Sequence, residues 1–93
     1  ITIIMNNKSW GAEKAYQRDF YNERYIGADI KSPPFHKLAE IYGAKGYHVS
    51  QLQDLKHTVS DALICDKPAI INIDVDPKAL YSFRKDSFKH RSQ

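Results

Sequence analysis

Cys65 is the only cysteine among the 93 residues, so no disulfide can close within the chain. A reduced, cytoplasmic setting is the expectation that follows. Cys65 itself reads as a small packed or half-exposed thiol near the end of an amphipathic helix. No apolar run approaches the roughly 20 residues that span a bilayer, so no membrane partner is expected, and no signal peptide is visible. The four histidines, His36, His48, His57 and His90, never fall three or four residues apart, and no cysteine pair joins them. Zinc ligation is therefore not expected. Glycine and proline are scarce, at four each, and there is no internal repeat or low-complexity segment, so disorder across the whole chain is not expected either. The surplus of positive charge is confined to one place. Lys78, Arg84, Lys85, Lys89 and Arg91 face only Asp86 in the tail, a surplus larger than the net charge of +3. With no uniform basic face in the remainder, nucleic acid is not an expected partner.

What is present is ordinary globular material of single-domain size, 42% hydrophobic and 27% charged. Ile1-Thr2-Ile3-Ile4-Met5 is a nearly continuous apolar run, which suits a strand buried on both faces of a parallel sheet. Asn6 to Gly11 reads as loop. From Ala12 to about Arg24 the pattern is helical, with Ala12, Ala15, Tyr16 and Phe20 near one side. Ser32-Pro33-Pro34 opens a second helix, with Ser32 as its cap and proline tolerated in the first turn. Phe35, Leu38, Ala39 and Tyr42 form its apolar stripe, and Gly43 ends it.

Gly46-Tyr47-His48-Val49 is a short strand. Ser50 and Gln53 match a capping box for the next helix, whose stripe is Leu52, Leu55, Val59, Ala62 and Leu63. Asp66-Lys67-Pro68 breaks that helix. Ala69 to Val75 is the clearest strand, apolar enough for an interior position, and Asp76-Pro77 closes it. Strand, helix, helix, strand, helix, strand predicts an α/β fold, a partial parallel sheet with flanking helices and right-handed crossovers. Residues 1–77 form this α/β part and residues 78–93 a basic aromatic tail. Three strands leave two open edges, which other strands are expected to cover; the chain reads as the end of a larger domain.

In open parallel sheets ligands gather at the carboxyl ends of strands, and Asn6 and Asn7 sit at such an end. A carboxamide oxygen is a hard, neutral ligand suited to Mg²⁺, which favours diphosphate oxygens and few protein ligands. The competing reading is a turn in which the asparagines bond their own backbone. Asp74 and Asp76 flank a strand end, where capping of nearby N–H groups competes with cation binding. Glu40 is expected to face solvent. Arg84, Lys85, Lys89 and Arg91 suit anion handling or a solvated tail. Tyr81, Phe83 and Phe88 are spaced as anchors on another surface.

Ile3-Ile4-Met5-Asn6-Asn7, followed by Trp10-Gly11 and a polar helix, resembles the end of the diphosphate-binding motif of thiamine-diphosphate enzymes. That motif opens with Gly-Asp-Gly and closes with Asn-Asn. The resemblance continues through Phe35-His36-Lys37-Leu38-Ala39-Glu40-Ile41-Tyr42-Gly43-Ala44-Lys45-Gly46, residues 52–63 and Lys67-Pro68-Ala69-Ile70-Ile71-Asn72-Ile73, following the acetolactate-synthase-like group. Trp10-Gly11-Ala12-Glu13-Lys14, Gln17, Asp19-Phe20-Tyr21-Asn22 and Phe83-Arg84-Lys85-Asp86 look most like the sulfoacetaldehyde acetyltransferase subgroup. Its members cleave a sulfonated two-carbon aldehyde and deliver acetyl to phosphate, releasing sulfite.

The resemblance implies thiamine diphosphate and Mg²⁺ as cofactors. It implies that Asn7 gives a side-chain oxygen to the metal and Ser9 a main-chain carbonyl. It implies that Asn6 shapes the loop, that Gly11 lets the backbone approach the cofactor, and that Trp10 walls the cleft or simply packs. Glu13 lies where related decarboxylases can place an active-site acid, and Arg84 and Lys85 are anion or substrate candidates. Gly-Asp-Gly is absent here, as is the glutamate that activates the cofactor, which in the family belongs to a different domain. The expected partners are therefore the rest of the enzyme, a second subunit in a homodimer or homotetramer, and a small-molecule substrate; the 93 residues alone are expected to be inactive. The contrasting hypothesis is a non-catalytic α/β interaction module with a basic tail, which the sequence upstream of Ile1 would discriminate.

Overall fold

The structure, a computed structural model, describes residues 1–82. The tail residues Phe83, Arg84, Lys85, Phe88, Lys89 and Arg91, and the anchoring or anion handling expected of them, lie outside the described residues. The elements run β1 (Thr2–Asn6), α1 (Gly11–Phe20), α2 (Phe35–Ile41), β2 (Lys45–Val49), a short 3₁₀ turn (Leu52–Asp54), α3 (Leu55–Ile64) and β3 (Ala69–Asp74). This is the predicted α/β order. The described residues form two compact units, one of Ile1–Asn7 with Ser32–Val75, the other of Lys8–Lys31 with residues 76–82.

The first unit holds a three-stranded parallel sheet in the order β1-β3-β2. The most apolar strand in the sequence is the central one. Thr2 is in register with Ile70 and Asn6 with Asp74, while Lys45 faces Ala69 and Val49 faces Ile73. Because side chains alternate across a strand, these registers sort the residues onto two faces. Tyr47, Val49, Ala69, Ile71 and Ile73 meet Leu55, Val59, Ala62 and Cys65 from α3 and its end, and that face is the core. Ile71 has no exposed surface; complete burial of such a side chain contributes about 1.5–3 kcal/mol. The other face carries Ile4, Asn6, Gly46, His48, Asn72 and Asp74, and α2 lies against its β2 end.

The contact between α2 and β2 is close enough to dictate a residue. A Cβ built at Gly46 would overlap the main-chain oxygen of His36 and lie 2.6 Å from its carbonyl carbon. Only glycine admits this approach. Helix α2 ends in a Schellman arrangement: Gly43, at φ +75°, donates to Glu40 O at 3.1 Å, and Ala44 donates to Ala39 O at 2.9 Å. Gly43 terminates the helix as its position predicts.

Several local expectations are overturned. Strand β1 is not buried on both faces: Ile1, Ile3 and Met5 are 55%, 51% and 65% exposed. It is an edge strand among the described residues, and the α3 core lies over β2 and β3. Ser32 does not cap α2; Pro34 occupies the cap position and no side chain bonds there. The Ser50–Gln53 capping box does not form, because the 3₁₀ turn runs straight into α3 and Asp54 takes the cap position with helical angles. Leu52 and Leu63 are exposed, and buried Thr58, bonded to Asp54 O at 2.6 Å, takes a place on the inner face.

In the second unit α1 stops at Phe20 rather than near Arg24. Asn22 and Glu23 both adopt left-handed angles, φ 54° and 58°, which no α-helix continues. Ala15 is fully buried, whereas Ala12, expected on the same apolar side, is exposed. Residues 8–10 pair with 28–30: Trp10 N donates to Ala28 O at 2.8 Å and Ile30 N to Lys8 O at 2.9 Å.

Candidate functional site

The first unit presents the carboxyl ends of all three strands on one side, the position at which open parallel sheets bind ligands. Asn6 ends β1, with its side chain buried and its main-chain oxygen accepting from Val75 N at 3.1 Å. Asn7 follows, half-buried. The two carboxamides therefore stand where β1 leaves the sheet, beside Asp74 at the end of β3. A cavity of about 250 Å³ opens at the same strand ends, lined by Met5, Val49, Leu52, Leu55, Ile73 and Asp74 among others.

The polar face brings together groups that the chain pattern does not join. His48 and Asp74 are hydrogen-bonded, Nε2 to Oδ2, at 2.9 Å. The His36 ring stacks on His48 with centroids 4.8 Å apart and planes 5° from parallel. Among the described residues Asn72 Oδ1 and His36 Nδ1 are buried without a hydrogen-bond partner. The signal for this cluster was present in the alternation of β2 and β3, but its use requires their register. Asp74 is thus engaged across strands rather than capping a turn. Asp76 does take the turn role, its Oδ1 accepting from Lys78 N at 2.9 Å.

In the second unit Ser9 forms an isolated bridge with Asp29, and its hydroxyl lies 3.4 Å from Asp29 Oδ1. Lys14 Nζ donates to the same oxygen at 2.6 Å. Hydrogen bonding and then charge from Lys14 hold the Asp29 carboxyl below the usual carboxylate range. Trp10 precedes α1 and its ring is exposed, so it is not core packing; its main-chain oxygen receives Lys14 N at 2.9 Å. Gly11 is the first helical residue and is not among the glycines with positive φ, which corrects the expectation that the loop runs through Gly11. Glu13 is exposed in the first turn of α1, where a carboxylate opposes the helix dipole. Glu40 is exposed as expected. Cys65 is half-buried, its thiol 3.3 Å from Ala62 O.

No group of three or more His, Cys, Asp and Glu is placed to hold a metal among the described residues. The hard-oxygen donors offered by the motif are amide and peptide oxygens. They suit a shared Mg²⁺ that takes few protein ligands and completes its shell with diphosphate and water. The donor set fits such an ion as one contribution to its shell.

A family model described as thiamine pyrophosphate enzyme, C-terminal TPP binding domain, matches residues 1–73. The sulfoacetaldehyde acetyltransferase of Castellaniella defragrans is 32% identical over 89 residues, covering 91% of this chain and 15% of that protein. The sulfoacetaldehyde acetyltransferase of Alcaligenes xylosoxydans xylosoxydans is 34% identical over 61 residues, 66% of this chain and 10% of that protein. The acetolactate synthase large subunit of Porphyra purpurea is 32% identical over 75 residues, 78% of this chain and 13% of that protein. The chain thus spans only a small part of the length of these relatives.

Proposed function

The chain belongs to the thiamine pyrophosphate enzymes, within their C-terminal TPP-binding domain, and from that premise we propose that it supplies the Asn6–Asn7 corner of a cofactor site in an acetyl-transferring enzyme. The observation that carries this reading is the position of the two asparagines at the carboxyl end of β1 in a parallel sheet. Asn7 would hold Mg²⁺ through its carboxamide oxygen, and Ser9 through its main-chain carbonyl. Asn6, buried and tied to Val75 through its main-chain oxygen, would fix where Asn7 projects. Bound thiamine diphosphate supplies the carbanion chemistry, and protein groups bind and orient it. A carboxylate for the metal and an acid for the cofactor would come from the rest of the protein and a second subunit.

Sulfoacetaldehyde is the proposed substrate, supported by the names of two relatives at 32% and 34% identity and by the residues around Trp10 and Phe20. Acetolactate synthase large subunits match at 32% as well, so a 2-oxo acid carboligase is the competing reading. Offering the intact protein sulfoacetaldehyde with phosphate, and separately pyruvate, distinguishes the two by product.

The test of the site is Asn7→Ala in the intact protein, with thiamine diphosphate titrated at fixed Mg²⁺. Cofactor affinity is expected to fall by about 10–100-fold, the range seen when groups that merely support metal ligands are removed. Circular dichroism should be unchanged. Undiminished, Mg²⁺-dependent binding in the variant would reject Asn7 as a ligand.

A further inference from the structure

The second unit contains a pocket that the proposed cofactor site does not use. It has a volume of about 470 Å³ and is lined by Gln17, Tyr21, Arg24, Tyr25 and Ile26, within the range of small-molecule sites. Its wall is built by Gln17. The Gln17 carboxamide donates to Ile26 O at 2.9 Å and accepts from Ile26 N at 3.3 Å. The Gln17 main-chain oxygen accepts from Tyr21 N at 3.2 Å and Glu23 N at 3.1 Å. One side chain and its carbonyl thus hold both ends of the loop that follows α1. Asn22 and Glu23 take left-handed angles there, as does Gly27 at φ 63°. Two adjacent non-glycine residues in that region are costly unless the surroundings impose them, and such strain gathers at binding sites.

Arg24 is placed rather than free to swing. Its main-chain N and its Nε both donate to Tyr21 O, each at 3.1 Å. The two Nη groups keep their donors. The other cations between residues 12 and 27 are spent: Lys14 pairs with Asp29 at 2.6 Å and Arg18 with Asp19 at 2.9 Å. Around the open guanidinium stand the Tyr21 and Tyr25 rings and Ile26, which is 82% exposed. A forked cation anchored at one end, beside aromatic and aliphatic surface, matches a ligand with an oxyanion head and a flat apolar body.

We propose that this pocket binds a small organic anion, a carboxylate, sulfonate or phosphate monoester on an apolar or aromatic group. The oxyanion takes both Nη groups of Arg24 and the body lies against Tyr21, Tyr25 and Ile26. The proposal stands independently of the Asn7 site.

The test titrates phenyl phosphate, inorganic phosphate and phenol, separately, into the full chain, following the Tyr21 and Tyr25 ring signals and the Arg24 side-chain signal by NMR. Phenyl phosphate should shift all three saturably and bind at least about tenfold more tightly than either half alone, because both contacts are made together. Arg24→Gln should weaken it at least about tenfold, and Arg24→Lys should not restore it, since an ammonium lacks the fork. Asn7→Ala should leave it unchanged, which separates this pocket from the proposed diphosphate site. Absent or unsaturable shifts, equal binding by inorganic phosphate, or full retention in Arg24→Gln would each overturn the proposal.

Discussion

His48 on β2 reaches the carboxylate of Asp74 on β3, two residues beyond its own register partner Asn72. The two strands are thereby tied by side chains at their carboxyl ends as well as by the ladder. Both side chains are more than a third exposed, at 41% and 37%, so solvent screens the pair. A double-mutant cycle with His48→Gln and Asp74→Asn should return a coupling of about 0.2–1 kcal/mol, the usual range for exposed pairs. Urea unfolding measures it; a coupling above about 2 kcal/mol would place the pair in a drier setting than an exposed pair allows.

Gly46→Ala should destabilise the first unit by about 1–3 kcal/mol, the cost of forcing atoms into a packed contact. The obstacle is the main chain of His36, which cannot rotate aside as a long side chain would. The urea midpoint should fall, and the His36–His48 stacking should loosen in the NMR spectrum. An unchanged midpoint would mean that α2 slides on β2 at little cost.

Ile71→Ala removes a side chain with no exposed surface at the middle of the central strand. A loss of about 2–5 kcal/mol is expected, the range for buried isoleucine or leucine truncation. Thermal or urea unfolding reports it directly. A loss below about 1 kcal/mol would show that Val49, Ala62 and Ala69 collapse into the space.

Asp29 gives the pH dependence its sign. Lys14, first by hydrogen bond and then by charge, lowers the folded-state value. A carboxyl lowered on folding contributes stability above its unfolded value, about 3.9, and that contribution is lost as pH falls through the lower folded value. Lys14→Met should move the Asp29 titration midpoint upward, toward the unfolded value, and flatten the acid-side slope of stability. Carbon-detected NMR of the carboxyl group measures the midpoint. A midpoint that does not rise would assign the lowering to Ser9 or the backbone instead.

Element order, the parallel sheet and the central place of β3 were legible because they rest on apolar patterning, which Ala69 to Val75 shows strongly. The position of Asn6 and Asn7 at a strand end followed from the same pattern. The errors fall where a short-range rule met a competing geometry. Ser32 and Ser50 carry cap chemistry, but Pro34 and the 3₁₀ turn at Leu52–Asp54 take over the helix starts. The apolar run of β1 predicts cover on both faces, yet coverage belongs to neighbours that a strand's own residues do not encode. The helical period runs on past Phe20 toward Arg24, whereas the left-handed turn at Asn22 and Glu23 that stops α1 has no comparable sequence signal. The His48–Asp74 pair was out of reach for a different reason. It depends on the β2–β3 register, and a register is set by the folded sheet.

The strand order has a consequence for how the sheet comes into being. Among the described residues β1 and β2 do not pair with each other; each pairs with β3, whose residues follow both in the chain. Until Ala69–Asp74 emerges, the β1–β3 and β2–β3 ladders cannot form, and Ile3, exposed on β1, waits for this pairing through the synthesis of more than sixty residues. Non-local closure of this kind is slow and leaves apolar segments open to misassociation during the delay.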